Sequence, residues 1–129
     1  MSQTNPVMSL LKFHRFCVQS AIVDDKVKLS QCKTPATQSK LQESLQRKNS
    51  EIQIFDSAIS GIETNDISMV KAGLELLKHR LSMSCELFQK LWDKFDSTGN
   101  GKSHQPYYIP LWEKSKSDLS LVDAQLGVC

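Results

Sequence analysis

One seven-residue rhythm, present in two stretches of the chain, limits what it can fold into. Between Leu41 and Ile62 the residues Leu41, Leu45, Lys48, Ile52, Phe55, Ile59 and Ile62 step by 4, 3, 4, 3, 4 and 3. Between Ile67 and Phe95 the residues Ile67, Val70, Leu74, Leu77, Leu81, Ser84, Phe88, Leu91 and Phe95 alternate 3 and 4 through four heptads. Such a stripe stays on one side of a helix and needs a second helix to cover it. In the first stretch Lys48 falls where an apolar knob is expected. A charge there sets register or extends toward water, at a cost in stability.

Four helices follow, over about 7–23, 35–60, 66–96 and 110–126. In the first, Val7, Leu10, Leu11, Cys17, Val18, Ala21 and Ile22 share a face, with Phe13 and Phe16 on another. The next ten residues, DDKVKLSQCK, show no sustained period. Thr34 and Pro35 then supply an N-cap and a proline at the first helical position. Gly61 is the expected stop of the second helix, and Thr64, Asn65 or Asp66 caps the third. At 1.5 Å per residue the second and third helices span roughly 39 and 44 Å. Their short connection predicts an antiparallel, coiled-coil-like hairpin. Leu76, Met83, Leu87 and Trp92 form a second apolar set on the third helix. Either a flanking helix or a second copy of the chain must cover it. The fourth helix is expected to open at Pro110, with Leu111, Trp112, Leu119, Val122 and Leu126 near one face. The predicted fold is therefore all-α, a small helical bundle in a single domain over 1–129.

Composition agrees with a packed helical chain. Hydrophobic residues are 40%, charged residues 23% and aromatic residues 7%, with five glycines. The formal charge of +2, from 16 basic and 14 acidic side chains, is too small to imply a polyanionic partner by itself. Cys17, Cys32, Cys85 and Cys129 form no CxxC pair. His14, His79 and His104 are not at zinc-site spacing from two of them, so neither disulfides nor a metal site are expected. Reduced thiols and the absence of a signal-like or membrane-spanning run predict an intracellular, cytoplasmic protein without a membrane partner. The alternative for the basic N-terminus, acid-free until Asp24, is a mitochondrial presequence.

The segment FDSTGNGK starts like a calcium loop, with Asp96, Thr98 and Asn100 at positions 1, 3 and 5 and Gly101 at 6. Position 12 is Tyr107 where a bidentate glutamate belongs, position 8 is Ser103, and Pro106 and Pro110 oppose an exiting helix. A degenerate EF-hand is thus a remote alternative. No phosphate-binding glycine loop, HExxH, GxSxG or redox pair is present, so neither enzymatic activity nor a cofactor is expected.

The seams point instead to self-association or to a partner helix, carried by Leu45, Ile52, Phe55, Ile59, Leu74, Leu77, Leu81, Phe88 and Leu91. The alternative is an RNA-binding helical hairpin using Arg47, Lys48, Lys78 and Arg80 against phosphates. Glu43, Glu51, Glu75, Glu86 and Asp93 interleave with these cations, as on a solvated helix face.

Residues 70–119 hold a long helix ending in Phe88, Trp92 and Phe95, then His104, Tyr107 and Tyr108, then Trp112 and Glu113. This order resembles the N-terminal helical region of Gag-like proteins of LTR retrotransposons. The resemblance implies self-association during particle assembly, or interference with it. No capsid domain or CCHC knuckle accompanies it in these 129 residues.

Overall fold

The structure, a computed structural model, describes residues 6–98 and 101–128, with side chains outside 95–98 and 101–105. The described residues form four helices and no strands: α1 (Pro6–Gln31), α2 (Pro35–Thr64), α3 (Ile67–Thr98) and α4 (Gly101–Gly127). The fold is all-α, as the periodicity requires. Two compact units divide the chain, Met1–Gly73 and Leu74–Cys129, so that α3 starts in the first and continues in the second.

In the first unit α1 folds back along α2. Arg15 pairs with Asp56 near one end of the hairpin, and Asp25 meets Lys48 and Ser44 nearer the other. The inner face of α1 is the row Val7, Leu10, Leu11, His14, Val18, Ile22 and Asp25, all buried. Its last member explains why α1 runs eight residues past the expected end at Val23. The row enters DDKVKLSQCK, but its member there, Asp25, is a carboxylate, so the apolar period stops while the helix goes on to Gln31.

α2 begins at the expected Thr34-Pro35 junction. Thr34 has an extended backbone (φ −112°, ψ 138°), and its hydroxyl donates to the Thr37 hydroxyl, 2.8 Å away, where a backbone amide was the expected partner. The far end departs from expectation. Gly61 does not stop the helix, which reaches Thr64 and closes on Asn65 in the left-handed region (φ 62°, ψ 35°). The Asp66 amide donates to the Gly61 carbonyl at 2.7 Å and the Asn65 amide to the Ile62 carbonyl at 3.4 Å, the two bonds of a Schellman motif. The Asp66 carboxylate then accepts from the Ser68 amide (3.2 Å) and caps α3.

Gly61 serves packing. A Cβ there would stand 2.8 Å from the Met69 Cβ and 2.9 Å from both the Asp66 carbonyl oxygen and a Val70 methyl. Gly73 is tighter, since a Cβ there would run into the Ala58 Cβ. The last turns of α2 and the first of α3 therefore approach backbone to backbone, antiparallel.

In the second unit α4 returns along α3. Lys78 pairs with Asp123 at 3.1 Å, while Trp92 meets Tyr108 and Trp112 at ring-centroid distances of 6.5 and 6.1 Å. The Lys116 ammonium lies 4.0 Å from the centre of the Trp112 ring. α4 starts at Gly101, nine residues before the expected Pro110, and holds Pro106 and Pro110 inside it. Both prolines are exposed, four residues apart on one face. The carbonyl of Pro106, denied an amide by Pro110, is on that solvent side and can bond water.

Candidate interaction surface

The nine seam residues separate into two groups. Phe55, Leu74, Leu77 and Leu81 are buried within the chain, with 0, 0, 0 and 3% of their surface exposed. A partner helix cannot reach them; heptad spacing marks a covered face without saying which chain covers it. Leu45, Ile52, Ile59, Phe88 and Leu91 are half-buried. Ile67, which opens the α3 seam, is exposed.

The four cations of the phosphate-binding alternative are also unequal. The Lys48 ammonium donates to Asp25 Oδ2 at 2.7 Å, and the Ser44 hydroxyl donates to the same oxygen at 2.8 Å. Neither the lysine nor the aspartate side chain is more than a fifth exposed. Lys48 is thus part of the α1–α2 interface and unavailable to phosphates. The Lys48 ammonium, then the Ser44 hydroxyl, hold the Asp25 carboxyl below the ordinary aspartate range, against the opposing effect of burial. Lys78 has its partner in Asp123, Arg47 is exposed and Arg80 is half-buried.

The would-be calcium loop is not a loop in its second half: Gly101 to Tyr107, positions 6 to 12, is helical. The side chains of Asp96, Thr98, Asn100 and Ser103 lie outside the described residues. Among the described residues no group of three His, Cys, Asp or Glu side chains could hold a metal ion. No helix among them is long and apolar enough to cross a membrane.

Of the residues carrying the Gag-like resemblance, Trp92, Tyr108 and Trp112 come together in one aromatic cluster, with Tyr108 buried. Tyr107 points outward and is 84% exposed. Phe95 and His104 lie outside the described side chains.

Among the described residues, a long row of uncovered apolar side chains lies on α1. Phe13, Phe16, Val23 and Val27 are 59, 66, 53 and 51% exposed. With Ser20 they step by 3, 4, 3 and 4, on the side of α1 opposite the buried row. α1 is therefore apolar on two faces, and the chain covers one. Sequence reading separates Phe13 and Phe16 from the inner face but loses the rest of the row, because Ser20 interrupts it and Val27 lies beyond the expected helix end. A shorter exposed pair, Met83 and Leu87 on α3, lines a shallow depression with Ser84, Glu86 and Lys90. It belongs to the second apolar set expected on that helix. No family model, curated protein or solved structure matches the chain.

Proposed function

We propose that this protein is a non-enzymatic helical interaction module that associates through apolar contact, with itself or with a partner helix. The observation that carries this reading is the bifacial α1. A helix apolar on opposite sides is at home when covered on both, and the row from Phe13 to Val27 faces water. Assembly of the Gag-like kind, or interference with it, is the biological setting that the resemblance over 70–119 suggests for such a module.

The test is the light-scattering mass across a gel-filtration peak at low and high salt, with absorbance at 260 and 280 nm. The expected result is a mass above that of one 14.6 kDa chain, insensitive to salt and free of nucleic acid. A species that carries nucleic acid and dissociates as salt rises favours the phosphate-binding hairpin instead. In that case Arg47→Glu and Arg80→Glu should weaken nucleic-acid binding without changing protein mass. Lys48→Glu is the wrong probe, because it breaks a buried pair.

A further inference from the structure

Heptad rows hold two helices together without fixing how far one has slid along the other. We infer that the buried cluster of Asp25, Lys48 and Ser44 sets the register of α1 on α2, whether or not the chain associates.

The register can be read at two places. Arg15 reaches Asp56, and Asp25 bonds to both Ser44 and Lys48. Ten residues forward along α1 thus match ten residues back along α2, from Asp56 to the midpoint of Ser44 and Lys48.

Apolar contact alone does not single this register out. If α1 slid seven residues toward the start of α2, roughly 10 Å, Ile22 would come opposite Leu41 and Leu45, and Leu11 opposite Ile52 and Phe55. Both rows would still meet. Leu11 would leave Gly73, where a Cβ would stand 3.4 Å from its methyl, but it would keep an apolar place on α2. The charges would fare worse. Asp25 would come opposite Thr37 and Leu41, and Lys48 opposite Val18. The opposite slide sets Asp25 against Glu51 and Phe55 and carries Lys48 past the end of α1.

Burial gives the cluster this power. The Lys48 ammonium and the Ser44 hydroxyl lie 2.7 and 2.8 Å from one Asp25 oxygen, and the Lys48 and Asp25 side chains are 18 and 9% exposed. An ion stripped of water is tolerated only where its partner stands, so each slide strands Asp25. The Arg15–Asp56 pair, 37 and 52% exposed, discriminates far less. In the second slide Arg15 would even gain the exposed Glu63. A polar residue in the seam of a coiled coil fixes register in the same way, at a cost in stability.

The experiment marks register at the Arg15–Asp56 contact. In full-length chains with the four native cysteines changed to serine, Arg15→Cys is combined with Asp56→Cys for the native register. Asn49→Cys replaces it for the slide toward the start of α2, and Glu63→Cys for the opposite slide. A short thiol cross-linker is added to dilute protein, links within single chains are read by mass, and helicity is followed by circular dichroism. With the cluster intact, only the combination with Asp56→Cys should link. With Asp25→Leu and Lys48→Met added, helicity should be kept, and linking through Asn49→Cys should rise at least about tenfold once no charge is stranded by the slide. The exchange Asp25→Lys with Lys48→Asp rebuilds the pair and should restore native linking alone. A helical Asp25→Leu, Lys48→Met chain that links only through Asp56→Cys overturns the inference, because the apolar rows then hold register unaided. Loss of helicity in that variant overturns it too, since the cluster would then be needed to fold at all. Slipped linking with the cluster intact or exchanged has the same consequence.

Discussion

At the scale of single residues, Asp25 and Lys48 each break a pattern, and they break it for each other. An apolar row on α1 reaches a carboxylate where the next hydrophobe belongs, and a heptad seam on α2 reaches an ammonium. Their pairing at 2.7 Å, with Ser44 on the same oxygen, leaves neither charge alone in the interface. Removing one partner strands the other, so Lys48→Ala or Asp25→Ala should destabilise the chain by about 3 kcal/mol in chemical denaturation. Replacing both, Asp25→Leu with Lys48→Met, should be neutral or stabilising, because desolvation of two ions is then avoided. A double variant as unstable as either single one would show that the pair is not the reason for the loss. The pair also makes stability depend on pH. The folded Asp25 carboxyl is held below its ordinary value of about 3.9. Its stabilisation is present above that value and is lost as pH falls through the lower, folded value. Acid unfolding should therefore lose part of its pH dependence below about pH 4 in the Asp25→Asn variant, as read by helicity against pH.

At the scale of elements, helix ends and close crossings carry the predictions. Asn65 sits at φ 62°, where a residue bearing a Cβ is strained unless its side chain is short and polar. Asn65→Gly should leave stability within a few tenths of a kcal/mol, and Asn65→Val should cost about 1–2 kcal/mol. Gly73→Ala should cost about 2 kcal/mol or more in the same assay, because the new methyl meets a backbone-anchored Ala58 Cβ with no flexible end to yield. On α4, Pro110→Ala should raise helicity and stabilise by about 1 kcal/mol, restoring an amide to the helix ladder while freeing the unfolded chain somewhat. Much of this level was legible in advance. The existence and order of four helices, the Thr34-Pro35 start and a cap for α3 among Thr64, Asn65 and Asp66 follow from spacing and capping chemistry; the structure selects Asp66. The ends that were misplaced have local causes. Asp25 hides the last turns of α1, Gly61 resembles a stop but is a contact, and Pro106 and Pro110 resemble helix openers although α4 carries them on its wet side.

At the scale of the whole molecule, the question is which apolar stripes the chain covers for itself. Phe55, Leu74, Leu77 and Leu81 are covered, while Phe13, Phe16, Val23 and Val27 are not. Exposed ion pairs should count for little here: Lys78→Ala, whose partner Asp123 is about half exposed, should change stability by less than about 1 kcal/mol. By itself the sequence determined that the chain is helical, that its helices are amphipathic, and where most of them begin, because periodicity and capping act over a few residues. It could not determine which stripe is core and which is surface. A heptad row looks the same in one chain or between two, and the choice depends on residues far apart in sequence, such as Asp25 with Lys48 and Ala58 with Gly73. The tertiary structure made that choice by burying the inner row of α1 and the central leucines of α3. It thereby left the outer row of α1 as the apolar surface still to be covered.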